Sequence, residues 1–323
     1  MSDQHVILYK EKITKSQSTL PIDKIIVSLA TDLSRREIRK ALDEGCVLLN
    51  GRRIRKASTL AKPGDLLEFR YRKTERKERE QRAPKISLHL ETVLYQEDRV
   101  VAINKPPLLA SQATKNPKDP HVPALMQELA SECDTLDGEE FFLCHRLDKE
   151  TSGVLLLATT AEKTEWIMNQ FRERKTRKKY LAICHGIPDV KSWKKVCNLS
   201  PIDKRTGQVR VVNSGGKPSN TEFRLVKAFP EHQLSLIACL PQTGRGHQIR
   251  VHLDSCGYPI LGDKRYGKKK HAPLPCEIEK ESARHHMLHA EKLGFFPSED
   301  SAMAWVEAPL PPGFQKILDI LNS

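Results

Sequence analysis

The sequence predicts an α+β fold in two parts, a small basic α/β module and a larger domain behind it. Three observations carry this. Residues 1–84 hold 20 Lys+Arg against 12 Asp+Glu, a net +8, so only +5 of the chain's +13 falls on the rest. Two helical periods followed by short strand periods fill the small part. In the larger part, several strand-like segments follow one another directly, which fits α+β better than a strict alternation of strand and helix.

Residues 1–18 read as a loose leader. From Ile22 the apolar residues Ile22, Ile25, Ile26 and Leu29 recur at helical spacing. Ser34 stands three residues before Glu37, the spacing of a capping box, and opens a second helix with Ile38, Ala41 and Leu42 as its stripe and Gly45 at its end. Arg35, Arg36, Arg39 and Lys40 remain for its solvent face. A strand at 47–49 runs into Asn50-Gly51, a two-residue hairpin signal. Arg52, Arg53, Arg55 and Lys56 extend the basic surface before a last strand at 66–71. Fixed cations with no call for a particular base suit a grip on an RNA backbone. Residues 19–71 form this module. The almost wholly charged 72–85 reads as a solvated linker, with a short exposed helix as the alternative.

The larger domain spans 86–323. Strands are expected at 92–95 and 100–104, then a Pro-rich loop at 106–123, a helix at 124–133 and a strand at 153–158. A helix at 161–172 carries Trp166, Ile167 and Phe171 on its apolar side. Strands at 180–184, 221–225 and 234–239, a helix at 247–256, a strand near 287–293 and a helix at 314–321 complete it.

Composition excludes several classes. At 38% hydrophobic and 29% charged, the chain is not collagen-like, mucin-like or wholly disordered. Its longest apolar runs, such as Val154 to Ala158, fall far short of the roughly 20 residues that cross a bilayer. The start MSDQHVILYKEK lacks a secretory apolar region. Eight cysteines without a CxxC suit reduced thiols in a cytosol. A cytoplasmic protein with no membrane partner and a polyanionic one, nucleic acid first, is expected. Signatures of P-loop NTPases, dinucleotide enzymes, α/β-hydrolases and zinc proteases are all missing. His285, His286 and His289 have no suitably placed carboxylate in sequence and read as a stray surface cluster, so no metal is expected.

Three stretches are dense in polar groups beside apolar strands. In Cys144-His145-Arg146-Leu147-Asp148-Lys149-Glu150-Thr151-Ser152-Gly153, an extended chain puts Arg146 and Asp148 on one side, before a strand apolar on both faces. An ordinary Arg–Asp ion pair is the commoner outcome of such a spacing; a catalytic carboxylate is the sharper one. The run 172–180 ends in Tyr180, giving either a basic loop before a core tyrosine or phosphate contacts beside a stacking ring. Gln242-Thr243-Gly244-Arg245-Gly246-His247-Gln248-Ile249-Arg250 opens a helix in which Arg250 would make a weak surface pair with Asp254, unless it serves a site.

Taken together, HRLDKETSGVLLLA, KKYLAICHG, TGRGHQIRVHLDSCGYPILGD and EDRVVAINKPP resemble, in order, the motifs of the RluA-type RNA pseudouridine synthases over roughly residues 86–310. SRREIRKALDEGCVLLNGRRI and KPGDLLEF resemble the small RNA-binding module first known from a small-subunit ribosomal protein (S-four type). The sequence departs from that module at Pro21-Ile22-Asp23-Lys24. In the larger family a small residue and Gly commonly stand at Pro107-Leu108, and Thr or Ser at Gly246.

The resemblance implies a mixed, largely antiparallel central sheet flanked by helices, with a central cleft. It also implies isomerisation of uridine to pseudouridine without cofactor or metal. The substrate is expected in large-subunit ribosomal RNA or its precursor, with transfer RNA as the alternative, and the chain as a monomer. Asp148 would be the nucleophile, Arg250 the guanidinium that keeps it ionised, and Tyr180 the ring against uracil, its phenol assisting proton loss from C5. Arg146 would fill the space left by an extruded base, Leu288 would line the pocket, and Arg245 with Arg35, Arg36, Arg39, Lys40, Arg52 and Arg53 would contact RNA. Two readings compete: a non-catalytic RNA-binding assembly factor, and an RNA-cleaving enzyme using His145 or His247.

Overall fold

A computed structural model describes residues 6–323 apart from 30–34, 44, 73–85, 115, 117, 118, 134, 137, 139 and 268–272. The chain divides into two units, Met1–Lys85 and Ile86–Ser323. The expected cap at Ser34 and the linker beyond Arg72 lie outside the described residues.

The first unit runs β1 (Val6–Lys12), α1 (Ile22–Leu29), α2 (Arg35–Asp43), β2 (Val47–Leu49), β3 (Arg52–Arg53) and β4 (Leu66–Arg72). Its antiparallel sheet has the order β1-β4-β2-β3. The apolar stripes of both helices, Ile22, Ile25, Ile26, Ile38 and Leu42, close over Val47, Leu67 and Phe69. Asn50 and Gly51 both take positive φ, 49° and 77°, as the two-residue hairpin requires. The Asn50 amide then donates to Asp65 and its carbonyl accepts from the Leu66 backbone, both at 2.8 Å, which ties the hairpin to β4. One expectation is corrected: residues 6–12 are no loose leader but an edge strand paired along β4, with Tyr9 against Phe69 and Lys10 bridged to Glu68. Arg39, Arg52 and Arg53 are exposed; the side chains of Arg35, Arg36 and Lys40 lie outside the described set.

The second unit contributes β5 (Val93–Glu97), β6 (Val100–Lys105), α3 (Val122–Glu132), β7 (Phe142–Leu143), β8 (Ser152–Ala158), α4 (Ala161–Arg172), β9 (Arg177–His185) and β10 (Ser192–Leu199). It continues with β11 (Val211–Val212), β12 (Lys217–Phe229), β13 (Leu234–Pro241), α5 (Gln248–Ser255), α6 (Cys276–Ser282), β14 (Leu288–Phe295), β15 (Ala304–Glu307) and α7 (Pro312–Asn322). The main path of its sheet is β11-β10-β12-β13-β9-β14-β8-β6-β5. Every pairing is antiparallel except β14 with β8, so the sheet is mixed and largely antiparallel. β8 is buried along its whole length, as its unbroken apolar run requires. α5, α6 and α7 bury Leu253, Ile278 and Phe314 with one core, and α3 buries Met126 and Leu129 with another. No helix among the described residues is long and apolar enough to cross a membrane.

Candidate active site

Asp148 stands in the turn between β7 and β8, closed by a 3.0 Å bond from the Thr151 amide to the Asp148 carbonyl. Gly153 makes this placement possible. It has φ +109°, and a Cβ there would lie 2.1 Å from the Ala290 carbonyl oxygen, so only glycine lets β8 start this close to β14. Arg146 and Asp148 are both brought to the pocket, though on an irregular turn and not a strand.

Across the pocket, α5 is prepared by the residues before it. The Gln248 side-chain oxygen accepts from Thr243 Oγ1 at 2.8 Å and from the Arg245 backbone at 3.0 Å. Its amide nitrogen donates to Thr221 Oγ1 at 2.9 Å. This buried knot fixes the start of the helix and with it Arg250, whose Nη1 donates to Asp148 Oδ2 at 2.8 Å. Nε and Nη2 bind both oxygens of Asp263 at 2.7 and 2.9 Å. The guanidinium also lies over the Tyr266 ring, 5.1 Å from its centre. Side-chain exposure falls from 21% for Asp148 through 6% for Arg250 to 0% for Asp263. The expected surface pair with Asp254 is therefore absent; Asp254 instead accepts from the Gly267 backbone. Asp263 carried no signal beyond its place in the string GYPILGD.

A cavity of about 620 Å³ opens here, lined by Asp148, Tyr180, Arg250, Arg146, Leu288 and Arg245, with His145, Lys178 and Ile202 among the rest. All six residues expected from the second unit thus meet in one pocket. Tyr180 is half-buried on β9 and Leu288 is buried at the head of β14. At Gly246 a Cβ would stand 3.1 Å from Cδ1 of the exposed Ile202, a side-chain end free to give way, so space does not demand glycine there. Leu108 keeps a left-handed backbone, φ 70°, where the resembling family commonly has glycine.

The histidines require a correction. His285, His286 and His289 are buried, not a surface cluster. His289 sits between Ser152 Oγ and the Ala308 carbonyl, and His286 Nε2 lies 2.9 Å from Thr151 Oγ1. A carboxylate is also close, Glu150 Oε2 at 3.4 Å from His286 Nδ1. Among the described residues no group of three His, Cys, Asp or Glu side chains is arranged for a metal. His145 accepts the Leu156 amide through Nε2 at 3.0 Å and lies tilted against Phe171, ring centres 4.6 Å apart. Burial, with a smaller push from Lys178, brings it down to about 3. It is a neutral structural acceptor and no acid for strand cleavage.

Burial alone would push the Asp148 carboxyl up. The charges of His247 and Arg250 and the Arg250 hydrogen bond more than reverse this and hold it below the ordinary 3.8. Burial disfavours protonation of His247 itself, so at neutral pH the guanidinium does the holding. Burial first, then the Asp148 charge, pushes the Tyr180 phenol up, so it enters the pocket as a neutral O–H. Such a phenol can stack and donate; to take a proton from C5 it must first lose its own.

Asp148 and Asp263 both titrate lower in the folded chain than the ordinary 3.8. Their stabilising contribution is therefore complete above that value and lost as pH falls through the folded values. Buried His145 and His247 resist protonation below the ordinary 6.5, so thermal melts should show a midpoint that slips below about pH 6.5 and falls further below about pH 4 as these carboxylates protonate. A midpoint that climbs on acidification contradicts this pairing.

The RNA pseudouridylate synthase family model matches residues 99–255, and the S4 domain model matches residues 20–67. Ribosomal large subunit pseudouridine synthase C of Vibrio parahaemolyticus is 33% identical over 306 residues, covering 92% of this chain and 91% of that protein. The uncharacterized RNA pseudouridine synthase YlyB of Bacillus subtilis is 29% identical over 317 residues, 96% of each chain. The structure of human RNA pseudouridylate synthase domain containing 4 aligns with TM-score 0.58 at 26% identity, covering 72% of this chain and 93% of that one. A basic S4 domain ahead of a carboxylate–guanidinium pocket on a mixed sheet defines an RNA-modifying isomerase. The chain belongs to the RNA pseudouridylate synthase family.

Proposed function

We propose that this chain converts uridine to pseudouridine in large-subunit ribosomal RNA, in the cytoplasm, with Asp148 as nucleophile. The observation that carries the reading is the 2.8 Å contact from Arg250 to Asp148, made by a guanidinium already held on its other edge by buried Asp263. In the reaction the bond from ribose C1′ to uracil N1 breaks and one from C1′ to C5 forms. C5 loses a proton and N1 gains one, so no outside reactant is consumed. Asp148 supplies the ionised oxygen beside the sugar, Tyr180 and Leu288 hold the ring, and Arg146 fills the gap left in the RNA. Extruding the base costs a few kcal/mol, offset by stacking and phosphate contacts. Arg245 at the rim and the exposed arginines of the first unit supply those contacts.

The Vibrio relative's name favours ribosomal RNA as substrate. The test is a pseudouridine map of RNA from cells with and without this protein. Loss at one or a few large-subunit positions is expected; loss confined to transfer RNA overturns the substrate assignment.

A binding prediction follows from β3, where Arg52 and Arg53 are exposed. Each neutralised phosphate contributes roughly 0.7–0.9 to the slope of log affinity against log salt, so Arg52→Ala with Arg53→Ala should flatten that slope by about 1.4–1.8. The single-turnover rate at saturating RNA should not change. An unaltered slope would remove these two residues from the RNA contact.

A further inference from the structure

Behind the pocket, the buried polar groups that the chemistry leaves unused gather around one segment, the turn 147–151 that carries Asp148. Three anchors hold it. Ser111 Oγ donates to the Leu147 carbonyl at 2.8 Å and accepts from the Leu147 amide at 3.1 Å. The buried Lys105 ammonium donates to the Lys149 carbonyl at 3.2 Å, and to those of Pro106 and Leu109 at 2.9 Å. Both anchors grip the backbone alone.

The third anchor works through side chains. His286 is buried just before β14, and its Nε2 lies 2.9 Å from Thr151 Oγ1. Its backbone amide donates to Glu150 Oε2 at 3.2 Å, and its Nδ1 stands 3.4 Å from the same oxygen. That Nδ1 is buried and makes no hydrogen bond among the described residues, so Glu150 is the polar group it faces. Burial opposes the Glu150 charge, but the contacts to His286 reverse this and bring its carboxyl down to about 2. One imidazole thus engages two consecutive residues of the turn whose Asp148 must meet Arg250. Reactive groups need placement within about 0.5 Å, and a 1 Å error costs on the order of 10²-fold in rate.

We propose that Glu150 and His286 are positioning residues: their pairing sets where Asp148 stands, and neither touches the substrate. The inference rests on Asp148 being the nucleophile. It predicts that Glu150→Ala and His286→Ala slow single-turnover conversion of a large-subunit ribosomal RNA transcript by about 10- to 100-fold while affinity for that RNA changes less than about twofold. The double variant should be no slower than the slower single one, because both remove the same restraint. His286→Gln, which keeps an amide able to reach Thr151, should recover most of the rate.

A merely structural role would lower the melting temperature and the active fraction but leave the rate constant of the RNA-bound enzyme intact. Should the His286 variants fail to fold, Glu150→Gln alters a half-exposed side chain of the same shape and gives the same comparison. A second readout does not depend on turnover. Crystal structures of the Glu150 variants should show the turn displaced and the Asp148–Arg250 contact longer than 2.8 Å. Wild-type rates with an unmoved Asp148, or losses that multiply in the double variant, overturn the inference. A wild-type protein that converts no RNA overturns the functional reading instead, and the crystal structures still decide the positioning role.

Discussion

Asp148→Asn should reduce pseudouridine formation by at least about 10⁴-fold, the scale of losing a nucleophile, while leaving the protein folded and able to bind RNA. The structure makes this a clean test. Arg250 keeps its two bonds to Asp263 whatever happens at Asp148, and an asparagine oxygen can still accept from Nη1. The cost in stability should stay within about 1 kcal/mol, the worth of one exchanged hydrogen bond. Single-turnover assays with a melting curve beside them check both halves. Retained activity, or loss of activity through unfolding, counts against the nucleophile assignment.

Arg250→Met should be damaging in two ways. It strands Asp263, whose side chain is 0% exposed, without its bidentate partner. Leaving one member of a buried pair behind costs about 3–5 kcal/mol. It also removes the charge that keeps Asp148 ionised. Burial then acts unopposed at neutral pH, and the carboxyl should rise by roughly 1–3 units. The acid limb of the pH–rate profile moves toward neutrality, the direction set by a carboxylate that works only when ionised. Arg250→Lys retains a charge but not the fork that spans two carboxylates, so it should regain part of the stability and little of the rate. A variant with the wild-type acid limb would show that Asp148 is not held by this guanidinium.

Much of this arrangement is legible in the sequence because local signals and global packing agree there. The helical stripes Ile22-Ile25-Ile26 and Ile38-Leu42, the Asn50-Gly51 turn and the unbroken run Val154 to Ala158 each state a single environment. Elsewhere the local signal contradicts the environment. β10 gives no strand signal because polarity does not follow burial: exposure alternates along it, but Val196 is 69% exposed while Lys195 is half-buried, so its apolar residues show no period of two. β1 resembles a leader in sequence because Lys10, Glu11 and Lys12 crowd its end, as suits an edge strand.

The site divides in the same way. Spacing places Arg146 and Asp148 together, but spacing alone favours an ordinary ion pair, and only the resemblance to a family points to a catalytic carboxylate. Asp263, Ser111 and Lys105 escaped because their roles arise from contacts between distant elements: Lys105 at the end of β6 grips a turn 44 residues away. The histidines misled because three in five residues look solvated, whereas Ser152, Thr151 and the Ala308 carbonyl give their ring nitrogens buried partners.

The most direct trial uses ribosomal RNA carrying tritium at uridine C5, incubated with the purified protein. Release of tritium to water from strands that stay whole, abolished in Asp148→Asn, is the predicted result. Tritium retained under conditions where the RNA is bound, or strands cut without need of Asp148, would contradict it.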